Sequence, residues 1–171
     1  MKHLLIQRSI RPLAAAFLAA VSLSSVSVYA DSPQYRRGPA CTDGGVTATC
    51  TGRVSGLGNG DVLVRVSFPN ATATTLCHAP GGGNTAPGQN PAAAVTVTGS
   101  KEYSNPKNGS LTFSVTTDVP STPSASEAGC PNSNWTVSIE DVTFGSGTLR
   151  IYQLDANGTP VLVIGPTNVS A

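Results

Sequence analysis

The chain has 171 residues, of which 11% are charged and 39% hydrophobic, with 18 Gly and 13 Pro. That balance excludes a charge-rich disordered tail and a coiled coil. Of ten basic residues, Lys2, Arg8 and Arg11 lie in an N-terminal leader; the remaining seven against nine acidic residues give a charge of −2. Such a domain has no basic footprint for nucleic acid or for an anionic membrane.

Residues 1–30 read as a secretory signal peptide. A basic stretch ending at Pro12 precedes an apolar stretch from Leu13 to Val26, and Val28-Tyr29-Ala30 supplies small residues at a cleavage site. The apolar run, about 14 residues diluted by Ser, falls short of the ~20 needed to span a bilayer. No Cys follows Ala30 immediately, which argues against a lipid anchor, and no later segment is long enough to span. The expected address is the periplasm, the medium or the cell surface. Residues 31–45, broken by Pro33, Gly38, Pro39, Gly44 and Gly45, read as a flexible N-terminal segment.

From Val46 the pattern has period two. Val46, Ala48, Cys50 and Val54 alternate with Thr47, Thr49, Thr51 and Arg53, and Val62, Val64, Val66 and Phe68 alternate with Leu63, Arg65 and Ser67. Asn59-Gly60 between the two runs predicts a hairpin. Pro69-Asn70 interrupts, and Ala71 to Cys77 reads as a further short strand. Residues 78–93 form a Gly/Pro-rich loop, Ala94 to Thr98 a strand, and Asn105 to Gly109 a turn. Leu111, Phe113 and Val115 mark the next strand, and a second loop covers residues 118–134. Trp135, Val137 and Ile139 alternate, with a bulge expected at Asp141 before Val142 and Phe144. Gly145-Ser146-Gly147 reads as a turn, Thr148 to Leu154 as a strand, and Asp155-Ala156-Asn157-Gly158 as a second Asn-Gly turn. The continuous apolar run Val161-Leu162-Val163-Ile164 predicts a strand buried on both faces, and residues 166–171 a C-terminal tail.

No helical periodicity interrupts this pattern. The expected fold is all-β, one antiparallel β-sandwich of about seven or eight strands over residues 46–165. A small antiparallel barrel is the alternative. The likeness to an immunoglobulin domain is one of architecture only, because Trp135 follows the last Cys instead of lying between two.

Cys41, Cys50, Cys77 and Cys130 all follow the leader, and in an oxidising compartment they read as two disulfides. Of three connectivities, Cys41–Cys50 and Cys77–Cys130 are preferred, because Asp43-Gly44-Gly45 is a turn that brings the first pair together. On chain-entropy reasoning the two closures stabilise by about 2.6 and about 4 kcal/mol. No CxxC and no His at ligand spacing occurs, so neither a metal nor a redox site is expected, and no cofactor motif is present.

Val54-Ser55-Gly56-Leu57-Gly58-Asn59-Gly60-Asp61-Val62, Ala86-Pro87-Gly88-Gln89-Asn90-Pro91-Ala92 and Cys130-Pro131-Asn132-Ser133-Asn134-Trp135-Thr136 together resemble segments of a group of small secreted bacterial β-sandwich proteins. The resemblance implies an exported β domain and no particular reaction.

Catalytic chemistry has few candidates. His78 is the one His after the leader and reads as a solvated loop residue, with no G-x-S-x-G elbow to offer it a nucleophile. Glu140 and Asp141 are adjacent, so a regular strand points them to opposite faces. Asp61 and Asp155 lie in turns, where Asp bonds locally. The N-x-[ST] sequons at Asn70, Asn108, Asn134, Asn157 and Asn168 are expected by chance in a chain this rich in Asn, Ser and Thr.

The loops remain. A Cys77–Cys130 bridge sets residues 78–93 beside 118–134, where Asn84, Gln89, Asn90, Asn132, Asn134 and Trp135 offer amides and one aromatic face. The competing expectation is that Trp135 fills the core and the amides cap turns. The sequence thus points to an exported non-enzymatic interaction or structural module with a protein or polysaccharide partner. A carbohydrate-binding module and a surface-fibre subunit are the alternatives. Donor-strand exchange needs an alternating apolar N-terminal extension, which residues 31–45 lack.

Overall fold

The computed structural model describes residues 32–89 and 93–171; the leader 1–30 and Asn90 lie outside the described residues. The protein is all-β, built from two antiparallel sheets with no barrel closure. Nine strands are formed among the described residues: β1 (Gln34–Asp43), β2 (Ala48–Ser55), β3 (Val62–His78), β4 (Thr85–Pro87), β5 (Ala93–Tyr103), β6 (Leu111–Thr116), β7 (Thr136–Thr143), β8 (Ser146–Leu154) and β9 (Pro160–Ser170). The smaller sheet has the order β1-β2-β6.

The larger sheet is organised by β3, whose 17 residues pair with four other strands. Its first half lies between β5 and β8, and its second half between β7 on one side and β4 with the start of β5 on the other. β4 and β5 are thus collinear, as are β7 and β8. Pro69-Asn70 does not end the strand as the sequence predicts. It is absorbed as a register shift between Phe68 and Ala71. Gly145-Ser146-Gly147 likewise does not reverse the chain, because β7 and β8 both run antiparallel to β3. The two breaks face each other, Thr72 opposite Thr143 and Ser67 opposite Thr148, and form one bend across the sheet.

Three further expectations are corrected. The segment expected to be flexible is not irregular where it is described: Gln34–Asp43 is an edge strand on β2, stapled by Cys41–Cys50, whose residues face each other with Cα atoms 4.0 Å apart. Asn59-Gly60 does not close a hairpin. β2 pairs with β1 and β6 while β3 lies in the other sheet, so residues 56–61 carry the chain between layers. Leu57 explains this: it is buried, and its N–H donates to the Gly109 carbonyl at 3.0 Å. Finally, Val161 to Ile164 is not buried on both faces. It lies in the edge strand β9, which runs on through residue 170 where a tail was expected, and Leu162 is 47% exposed.

The core lies between the inward faces. Val62, Val64, Val66, Phe68, Ala71 and Ala73 of β3 meet Ala48, Cys50 and Val54 of β2 and Leu111, Phe113 and Val115 of β6, all buried. Phe113 covers Gly52 opposite it on β2, and Phe68 covers Gly147 on β8, in both cases filling the space a Cβ would need. Phe68 also packs edge-on against Phe144 at 5.2 Å.

Each pair of facing sheet edges is pinned by a tyrosine. The Tyr35 hydroxyl of β1 donates to Thr167 Oγ1 of β9 at 3.3 Å. On the other side the Tyr103 hydroxyl of β5 donates to the Ser114 carbonyl of β6 at 2.6 Å and accepts the Ser114 N–H at 2.8 Å. Burial raises the pKa of both phenols, and the hydrogen bonds to Thr167 and Ser114 offset part of that rise.

Candidate functional site

The second disulfide, Cys77–Cys130, has Cα atoms 5.8 Å apart and joins the last turn of β3 to the long β6–β7 connection. Closing this loop stabilises by about 4 kcal/mol on chain-entropy reasoning. Backbone bonds reinforce it: Gly88 N–H donates to Thr75 O at 3.0 Å, and Gln89 N–H to Gly129 O at 3.4 Å. The two connections are therefore one packed end of the sandwich, as the cysteine spacing predicts.

Cys130 is presented by a single helical turn that the β pattern hides. Ser124-Ala125-Ser126-Glu127 is a capping box: the Ser124 N–H and hydroxyl donate to Glu127 Oε2 at 2.8 and 2.7 Å, and Glu127 N–H donates back to Ser124 Oγ at 3.3 Å. These bonds hold the exposed Glu127 carboxyl below its ordinary pKa. Ala128 N–H donates to Ser124 O and Cys130 N–H to Ala125 O, and Gly129 leaves the turn at φ +69°. The S-x-x-E spacing was the available signal for it.

The site candidates divide. Asn132 is spent on local structure, its Oδ1 accepting Asn134 N–H at 3.0 Å and its carbonyl accepting Trp135 N–H at 3.3 Å. Asn84 caps the 79–84 turn through its backbone carbonyl, which accepts Ala79 N–H, while its side chain is exposed. Gln89 and Asn134 are exposed, and Asn90 lies outside the described residues. Trp135 is half-buried just before β7 and is not a member of the central core cluster. The loop end therefore offers one partly accessible indole and several exposed amides.

His78 is not a solvated loop residue. It ends β3, is half-buried, and its Nε2 lies 2.8 Å from Ser138 Oγ. Ser138 Oγ donates in turn to Glu140 Oε1 at 2.7 Å. All three point outward from neighbouring strands because Leu76 pairs with Ser138 and the β7 bulge falls at Glu140, between the partners of Thr74 and Thr75. A Ser-His-acid nucleophile needs the imidazole between hydroxyl and carboxylate. Here the hydroxyl is in the middle and its proton is committed to Glu140, so the arrangement orients the ring instead of activating the serine. Ser138 was not singled out in the sequence, because only the strand register brings it to His78.

At the opposite end of β3 an open cleft of about 680 Å³ is lined by Asp61, Glu102, Asn105, Gln153 and Asp155. Two of its acids are committed to turns. Asp61 Oδ1 accepts Asn105 N–H at 2.9 Å, and Asp155 Oδ1 accepts Asn157 and Thr159 N–H, both at 2.8 Å. Among the described residues no three His, Cys, Asp or Glu side chains gather as a metal centre. No helix among them is long and apolar enough to cross a membrane.

No family model, curated protein or solved structure matches this chain. Its functional reading rests on the geometry above.

Proposed function

We propose that the chain is an exported, non-enzymatic recognition module that presents its disulfide-tied loop end to an extracellular protein or polysaccharide. The observation that carries this reading is the Cys77–Cys130 bridge. It fixes two long connections against a rigid strand beside a half-buried Trp135 and the exposed Asn84, Gln89 and Asn134. Loops immobilised on a scaffold lose little entropy on binding, and an indole together with amides suits a sugar ring, with its apolar face and rim of hydroxyls. Two disulfides agree with export to an oxidising compartment. The fibre-subunit alternative draws less support, because the N-terminal segment is already seated as β1 in its own sheet.

Trp135 is the one tryptophan in the chain, so its fluorescence reports on this end alone. Titration with a panel of soluble polysaccharides and extracellular matrix proteins is expected to shift its emission for at least one member, and calorimetry, which needs no tryptophan, to show that Trp135→Ala abolishes that binding with folding intact. No shift and no binding across the panel would overturn the proposal.

A further inference from the structure

The outward face of the larger sheet carries a feature that the loop end does not explain. Arg65 of β3 and Arg150 of β8 are directly opposed partners, and both point away from the core because Val64, Val66, Leu149 and Ile151 beside them are buried. Like charges placed opposite each other across two strands repel. Among the described residues no carboxylate forms a salt bridge with either. Both guanidiniums are nevertheless positioned: Arg65 lies over the Tyr152 ring at 5.3 Å, and Arg150 Nη1 donates to Thr148 Oγ1 at 3.4 Å. Together they line a shallow depression of about 340 Å³. Its rim is supplied by the hydroxyl residues Ser67, Thr98, Ser100 and Thr148, and its one acid is Asp118.

We propose that this depression is an anion-binding site for an acidic polysaccharide, with Arg65 and Arg150 pairing with its carboxylates or sulfate esters. Arg65 leans toward Tyr152 and Arg150 toward Thr148, so the two forks border the depression from either side, each free to take a planar or tetrahedral oxyanion, and bound anions would relieve the repulsion between them. The surrounding hydroxyls match a ligand rich in hydroxyls. The open shape admits a polymer that passes across the sheet. Two cations on a domain of net charge −2 match isolated anionic groups and not the dense charge of nucleic acid or an anionic membrane. Next to this row, Leu63, Tyr152 and the 47%-exposed Leu162 form an apolar row across β3, β8 and β9, against which the C–H face of a neighbouring sugar can rest. The site lies about 40 Å along β3 from Cys77 at ordinary strand rise, so it stands or falls independently of the loop end.

The test measures binding of the exported chain to immobilised galacturonate oligomers, sulfated galactan oligomers and uncharged galactan oligomers. Binding to a charged glycan, weakening as salt rises, is expected, with no binding to the uncharged one. Preference for galacturonate identifies a carboxylate as the ligand group, and preference for the sulfated galactan a sulfate ester. Arg65→Gln and Arg150→Gln are each expected to lose about tenfold or more in affinity, the scale of a charge-assisted hydrogen bond. Arg53→Gln makes the same charge change on the other sheet and is expected to bind normally, as is Trp135→Ala. Thermal melts check that each variant is folded. Failure to bind either charged glycan, equal binding to the uncharged one, or equal losses in Arg53→Gln would overturn the proposal.

Discussion

Thr75 offers the sharpest test of the packed loop end. It lies on the inward face of β3, 4% exposed, and its Oγ1 has no hydrogen-bond partner among the described residues. Gly88 closes over the hydroxyl so tightly that a Cβ there would collide with it and would stand 2.8 Å from the Ala128 carbonyl. A buried hydroxyl without a partner costs about 1–3 kcal/mol of desolvation that folding never recovers. Thr75→Val replaces the hydroxyl by a methyl of similar shape and removes that cost. Part of the gain is offset because the methyl is slightly larger and the space under Gly88 is tight. The net expectation is stabilisation by about 1 kcal/mol, a rise of roughly 3–4 °C in Tm for a domain of this size. Thr75→Ser keeps the hydroxyl and deletes a buried methyl, so it is expected to destabilise by about 0.8–1.5 kcal/mol. Urea unfolding under oxidising conditions measures both, with an unchanged m-value showing that the midpoint shift is one of stability. Destabilisation of Thr75→Val by 1 kcal/mol or more would refute the reasoning, because it would mean that the hydroxyl is satisfied, for instance by a bound water.

Other outcomes follow from the same contacts. Gly99→Ala is expected to cost about 1–3 kcal/mol by overpacking, because a Cβ on Gly99 would fall 2.5 Å from the Thr116 carbonyl and 2.7 Å from the Thr117 Cα, both backbone atoms; thermal melts measure it. The raised phenol pKa values of Tyr35 and Tyr103 mean that the folded state holds these protons more tightly than the unfolded chain. Their contribution is therefore present below pH 10, the ordinary phenol value, and lost as pH rises through the folded values, so the fall of stability above pH 10, read by urea unfolding, should be less steep in both Tyr35→Phe and Tyr103→Phe, with no gain in stability at neutral pH in either. For Glu127 the sign is opposite: its lowered pKa contributes stability above the ordinary carboxyl value of 4.5, lost as pH falls through the folded value. Glu127→Gln should flatten that acid limb, read by hydrogen exchange at Ala128 and Cys130, whose amides close the capped turn.

What could be read in the sequence and what could not divide along a physical line. Side-chain alternation is a local property, so Val62 to Phe68 and Leu111 to Val115 are recognisable as strands with the correct inward residues, and Thr148 to Leu154 as a strand. The two disulfides were legible too, because a turn at Asp43-Gly44-Gly45 fixes one pair and leaves the other. Pairing is not local. The same Asn-Gly dipeptide closes a true hairpin at Asn157-Gly158 and a crossover between sheets at Asn59-Gly60. At the first, Asp155 fastens the turn by accepting from Asn157 and Thr159. At the second, Leu57 is drawn into the core and bonded to Gly109, some fifty residues on in the chain. That competing partner could not be seen from the dipeptide. The 34–43 segment was misread for the same reason. It lacks alternation because most of it is exposed on both faces, only Tyr35, Pro39 and Cys41 being partly buried, and it becomes a strand through β2 beside it and the Cys41–Cys50 bridge.

The candidate sites obey the same division. The loop end could be inferred because covalent pairing of Cys77 with Cys130 overrides distance along the chain. The Arg65–Arg150 pair and the His78–Ser138 contact join separate strands by register, and the tyrosine pins join the two sheets by packing, so none can be read from the local sequence. Of these, only the arginine pair opposes its own neighbour electrostatically. A contact that stabilises a fold needs no further cause, whereas two opposed guanidiniums, Arg65 exposed and Arg150 half-buried, each held in place by a different side chain, are arranged at a cost. That asymmetry is the physical reason to look for a ligand there, on the flat of the sheet, as well as at the loops where rigid scaffolds usually carry their partners.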